Sequence, residues 1–136
     1  MNQIETIARG VCIVDGKVLL CHPRGRAYAY LPGGHIEFGE TGREALVREI
    51  EEEMGLKAKA GELIDVVESS FEQKGEKHCE INLVYRLAFE EIPVKPEASE
   101  EWIEFSWCPL EALDDAGFKP EEMLRVLKGD SRICCM

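Results

Sequence analysis

Glu49, Glu52 and Glu53 fall within five consecutive residues, at offsets of zero, three and four. That spacing brings all three carboxylates out on one face of a helix. Like charges a few ångströms apart repel by about a few kcal/mol per pair at an effective dielectric near ~20, and a cation offsets that repulsion. Hard divalent ions such as Mg²⁺ or Mn²⁺ suit the set, since they take oxygen ligands from a few carboxylates together with phosphate and water.

An acidic chain carries glutamates on wet helix faces as a matter of course, and this one has 27 Asp+Glu against 16 Lys+Arg. The surroundings of the three glutamates distinguish them from such a face. Gly34, Glu40, Arg48, Glu49, Ile50, Glu52, Glu53, Gly55 and Leu56 fill every fixed position of the pattern G-x5-E-x7-R-E-U-x-E-E-x-G-U, where U is aliphatic. At ordinary residue frequencies a chance match at a given start is on the order of one in a hundred million.

The pattern resembles the Nudix box, the signature of hydrolases that cut nucleoside diphosphates linked to another moiety, and Leu31-Pro32-Gly33-Gly34 resembles the family's lead-in to it. The resemblance implies an α/β/α sandwich with a mixed, twisted β-sheet flanked by helices. It implies Glu52 and Glu53 as metal ligands, Glu49 as a ligand or as the base that activates water, Gly33 as a ligand through its carbonyl, and Mg²⁺ or Mn²⁺ as the cofactor. Its implied substrate is a small nucleotide of the MutT-like type. ADP-ribose, nucleotide sugars and dinucleoside polyphosphates are the alternatives, and a non-catalytic sensor of the same fold is a further one. The proline and tyrosine that flag the ADP-ribose and diadenosine subtypes some fifteen residues beyond the box are absent. One departure concerns the lead-in, where many members carry an aromatic residue and this chain has Ala29 between Tyr28 and Tyr30. Homodimers are common among relatives, and the chain carries no interface signature.

Several elements must position these residues. A helix is expected from Thr41 to Met54: Thr41 and Glu44 form a capping box, and Gly55 suits the left-handed residue that ends a helix. Leu46, Val47, Ile50 and Met54 make its core stripe, the three glutamates lie beside that stripe, and Glu44, Arg48 and Glu51 point away. Arg48 lies one turn before Glu52, so a salt bridge orienting Glu52 is available. Around the helix, Thr6–Val14 and Lys17–Cys21 read as strands joined by an Asp15-Gly16 turn. Residues 61–73 read as another strand. After a turn at Lys74-Gly75-Glu76, Cys79, Ile81, Leu83, Tyr85, Leu87 and Phe89 alternate with polar residues, the mark of a strand with one buried face. Trp102–Trp107 reads as the last strand, with Ile103, Phe105 and Trp107 on one side, and Pro120–Leu127 as a terminal amphipathic helix.

Composition sets the outer limits. A chain of 136 residues fits one domain over residues 1–136, and 45% hydrophobic content suffices for one core. The formal charge of −11 argues against nucleic-acid binding. Phosphate groups handled by such a protein need a metal between them and the carboxylates. The N-terminal residues lack a basic and apolar leader, and no run approaches the ~18 apolar residues of a membrane helix, so a cytoplasmic location without membrane partners is expected. The six cysteines form no Cys-x-x-Cys and read as small hydrophobes.

Outside the box the signal thins. Glu40 precedes the helix N-terminus, where the dipole accounts for it as well as a second layer of metal chemistry does. A further carboxylate is expected from Glu97, Glu100 or Glu101, with no basis for choosing among them. Arg24 and Arg26 lie in a polar loop that could clamp a phosphate, and His22, His35 and His78 have no partner pattern.

Overall fold

Alternation along the strands sends side chains to two opposite faces, and in this chain both faces are covered. The computed structural model describes residues 3–128. Its strands are β1 (Ile4–Val11), β2 (Ile13–Val14), β3 (Lys17–Pro23), β4 (Gly33–His35), β5 (Ala58–Gln73), β6 (Glu76–Phe89) and β7 (Ile103–Pro109). Helix α1 spans Gly42–Met54 and α2 spans Leu124–Lys128, with short 3-10 turns at Leu110–Ala112 and Glu121–Met123. A four-stranded sheet runs β4-β1-β6-β5 and a three-stranded one β2-β3-β7. Only β1 and β6 pair in parallel, from Ile4↔Cys79 to Val11↔Arg86, which makes the larger sheet mixed.

On one face Ala8, Leu19, Cys21, Leu87 and Ile103 meet Leu46, Ile50 and Met54 of α1. On the other, Val11, Leu20, Val67 and Val84 meet Phe118, Met123, Val126 and Leu127 of the C-terminal segment. The α/β/α layering expected from the resemblance is therefore present, with a second, antiparallel sheet added. The single buried face expected of β6 is corrected: Tyr85 and Leu87 pack toward α1, while Asn82 and Val84 are buried on the opposite side. Asn82 donates from Nδ2 to the Val67 carbonyl at 3.2 Å and to Ser69 Oγ at 3.4 Å, which lets a polar residue lie within that layer.

Boundaries shift where tertiary pairing decides them. The expected first strand breaks at Cys12, whose carbonyl accepts from Leu19 N at 3.0 Å, and β5 starts three residues early because Ala58–Ala60 pair with Leu87–Phe89. Trp102 lies outside β7 and is 54% exposed. Cys12, Cys21 and Cys108 are buried and Cys79 half-buried, all with free thiols, and burial pushes Cys21 up to about 12. The three buried thiols, Cys12, Cys21 and Cys108, act as small hydrophobes. Cys134 and Cys135 lie outside the described residues. No helix among the described residues is long and apolar enough to cross a membrane.

Candidate active site

Local sequence starts and stops α1. Glu44 N donates to Thr41 Oγ1 at 3.1 Å and Thr41 N to Glu44 Oε1 at 2.8 Å, closing the capping box. Gly55, at φ 67°, ends the helix with its N–H on the Glu51 carbonyl at 2.9 Å. Leu46, Ile50 and Met54 are buried as expected, joined by Ala45 and Glu53, while Val47 is only half-buried.

The three glutamates do not share one environment. Glu52 has a side chain 53% exposed, Glu49 one 19% exposed, and Glu53 as a residue is 5% exposed. The expectation that Arg48 points away with Glu44 and Glu51 is corrected. Its guanidinium grips Glu40 bidentately, Nη2 to Oε1 at 2.7 Å and Nε to Oε2 at 3.1 Å. It also donates to Glu49 Oε1 at 3.0 Å and to the His35 carbonyl at 3.1 Å. Glu52 receives only the longer contacts, at 3.4 Å. A helical side chain leans toward the N-terminus of its helix, where the 35–40 loop lies, so the fork reaches Glu40 before Glu52. To the two roles considered for Glu40 the structure adds a direct contact: it holds Arg48, and Glu37 N donates to it in turn at 2.8 Å. Arg48→Met frees Glu40 and Glu49 together. The expected result is a lower denaturation midpoint and a loss of activity of roughly 10–100-fold, and Arg48→Lys restores little of it because a lysine cannot bind bidentately.

Glu53 is held well above the usual carboxylate range, chiefly by burial and then by the hydrogen bond and charge of Glu49. Two carboxylates in such contact repel unless a proton or a cation offsets their charge. Ser99 N donates to the Glu53 carbonyl at 2.7 Å, which docks the 97–101 loop on the end of α1, and among Glu97, Glu100 and Glu101 it is the charge of Glu100 that reaches the Glu53 carboxyl. A consequence for stability follows from the direction of the shift. Folded protein keeps the proton on Glu53 that the unfolded chain releases near 4.5, so this group destabilises the fold progressively as pH rises above that value. Without divalent ions, Glu53→Gln should match the parent in Tm near pH 4.5 and exceed it at pH 8, by roughly 3–5 °C per kcal/mol relieved. Scanning calorimetry across that range checks it, and an equal Tm at both ends refutes it.

A cleft of about 510 Å³ opens beside the C-terminal segment, with Tyr28, Tyr30, Phe71, Arg9, Lys119 and Glu121 in its walls. The departure at Ala29 is explained here. Ala29 is fully buried and bridges to Phe118, so the flanking tyrosines, two residues apart, both turn into the cleft with ring centroids 6.3 Å apart. A wider groove of about 640 Å³ runs between the outer side of α1 and the start of β5, past Arg43, Val47, Glu52 and Lys59. It lacks aromatic walls.

The family model for the NUDIX domain matches residues 5–127. The chain belongs to the Nudix family. It is 43% identical over 63 residues to an ADP-ribose pyrophosphatase of Methanocaldococcus jannaschii, covering 44% of this chain and 37% of that protein. It is 41% identical over 68 residues to the CTP pyrophosphohydrolase of Escherichia coli, covering 47% of this chain and 50% of that one. The matched stretch thus spans half or less of these curated relatives. Among solved structures, the solution structure of the Escherichia coli ORF135 protein superposes with a TM-score of 0.70 at 23% identity, over 98% of this chain and 92% of that one. A MutT protein from Methanosarcina mazei Go1 gives 0.69 at 23%, over 98% and 95%. At such identities these structures speak for the fold.

Nudix hydrolases use divalent metal ions, and the box of this chain suits one. Its donors are hard oxygens, and one of its glycines leaves room for a donor: a Cβ on Gly34 would stand 2.4 Å from the Glu49 carboxyl carbon. In the arrangement described, Arg48 takes Glu49 and Glu52 faces solvent, so no three His, Cys, Asp or Glu side chains among the described residues already stand grouped as ligands. Gly33 is required by its close approach to β1. It pairs with Arg9 of β1 at φ 145°, and a Cβ there would lie 1.9 Å from the Ala8 carbonyl oxygen.

Residues left without a partner pattern in the sequence have partners in space. His35 and His78 both meet Glu5, at 2.8 and 3.1 Å, and His22 meets Ser106. Glu5 lies 30 and 73 residues away from the two histidines, so no local pattern could reveal the contact. Arg24 is tied to Glu104 at 2.8 Å and to the Glu101 carbonyl at 2.7 Å, which makes it a brace for that loop. Arg26 is exposed.

Proposed function

We propose that this protein is a Mg²⁺- or Mn²⁺-dependent pyrophosphohydrolase that opens the diphosphate linkage of a small nucleotide, with a nucleoside triphosphate as the leading substrate. The observation that carries the reading is the pairing of two features: a buried carboxylate, Glu53, one turn after Glu49 on the same helix, and a tyrosine-walled cleft whose Arg9 pairs with Gly33 of the box lead-in. A bound divalent ion offsets charge on the diphosphate oxygens and makes a water acidic enough to attack near neutral pH.

The chain's own residues divide the remaining work. Glu52, Glu53 and the Gly33 carbonyl hold the ion, and Glu100 adds a carboxylate from the downstream loop. Glu49 is a further ligand or the base that takes the proton of the attacking water. Arg48 keeps Glu49 and Glu40 in register. The cleft receives the nucleoside, its tyrosine faces offering the stacking surface that a base requires. ADP-ribose is the second reading, favoured by the 43% match to a pyrophosphatase of that name. A non-catalytic sensor fits less well, because every glutamate of the box is present.

Turnover of nucleoside di- and triphosphates, ADP-ribose, nucleotide sugars and dinucleotides with Mg²⁺ or Mn²⁺, followed by ³¹P NMR in ¹⁸O-water, tests the proposal and locates the attacked phosphorus. The expected outcome is metal-dependent release of a nucleoside monophosphate. No turnover of any compound with either ion would refute it.

A further inference from the structure

Among the described residues Arg9, like Arg26 and Arg43, ends on no carboxylate, and of these three it alone lines the tyrosine cleft. Four other guanidinium groups, those of Arg24, Arg48, Arg86 and Arg125, end on a carboxylate within 4 Å, as expected in a chain of net charge −11. Arg9 makes one hydrogen bond to protein among the described residues, Nη1 to the Leu31 carbonyl at 3.0 Å, and its Cζ lies 5.1 Å from the centroid of the Tyr30 ring. A guanidinium has five N–H donors. The others have no protein acceptor, although the residue is half-buried in the wall of the cleft. Solvent meets those donors in the free protein, and the acceptor of a ligand can take the place of that water.

Position decides what that acceptor is. Arg9 pairs through its backbone with Gly33 of the box lead-in, and Tyr30, whose ring its guanidinium covers, packs against the layer that holds Leu46, Ile50 and Met54 of α1. It therefore stands where the cleft meets the acidic helix. A nucleotide laid with its nucleoside in the cleft and its diphosphate on α1 passes its first phosphate at that junction. Planar paired donors match phosphate oxygens bidentately, and the ring of Tyr30 and the Leu31 carbonyl hold the group in place before substrate arrives. We infer that Arg9 is a specificity-determining residue that binds the phosphate nearest the nucleoside, so that the enzyme distinguishes a nucleotide from its nucleoside. This rests on the assignment of the cleft as the nucleoside site.

Calorimetric affinities of the four ribonucleoside 5′-monophosphates and their parent nucleosides, measured in magnesium buffer for the parent, Arg9→Met and Arg9→Lys, test it. The parent should bind its preferred monophosphate at least about tenfold more tightly than the matching nucleoside. Arg9→Met should lose that ratio while keeping the affinity for the nucleoside, and Arg9→Lys should recover part of it. With the best nucleoside triphosphate of the turnover screen, KM should rise about tenfold in Arg9→Met with a smaller change in kcat. An unchanged ratio in Arg9→Met, or an equal loss for monophosphate and nucleoside in both variants, overturns the assignment while the hydrolase reading stands. A parent that neither binds nor hydrolyses any nucleotide overturns both.

Discussion

Glu53→Gln and Glu52→Gln should each cost the protein most of its turnover, on the order of 10²–10³ or more, the loss expected when a fixed charge is taken from a site that stabilises a developing one. The two differ in what else changes. Glu52 is a largely exposed side chain, and its replacement leaves Tm where it was; Glu53 is buried against a second carboxylate, and its replacement raises Tm at pH 8. Glu51, exposed and between them and Glu49 in sequence, is the control, and Glu51→Gln should retain the parent rate. Parent-like hydrolysis in both box variants would mean that this helix face does not hold the ion.

Gly33→Ala and Gly34→Ala should fail in different ways although the residues adjoin. The first puts a methyl 1.9 Å from a backbone oxygen of β1 at φ 145°, a conformation that side-chain-bearing residues rarely adopt. Neither strand can withdraw without breaking the Arg9↔Gly33 pairing, and a loss of about 3 kcal/mol or more follows from strain and overpacking together. The second meets only the end of the Glu49 side chain, which can rotate away. Gly34→Ala should therefore fold with a near-parent denaturation midpoint but with weakened Mg²⁺ binding and reduced turnover. Urea titration separates the two, and equal midpoints for both variants would refute the distinction.

Sequence alone determined what depends on near neighbours. The start of α1 at Thr41, its end at Gly55, the turns at Asp15-Gly16 and Lys74-Gly75 and the stripe of Leu46, Ile50 and Met54 are all written in spacings of a few residues, where helical and strand periods act directly. The box itself, being one contiguous run, was legible for the same reason, and with it the family. Tertiary structure decided everything that depends on which segments meet. It buries Glu53 and exposes Glu52 although both lie on one helix face. It gives Arg48 to Glu40 ahead of Glu52, docks the 97–101 loop on the end of α1 through Ser99, and covers β6 on both faces. It also places Arg9, a residue of the first strand, in the wall of the tyrosine cleft. Those outcomes arise from contacts between residues tens of positions apart, for which a local period carries no signal.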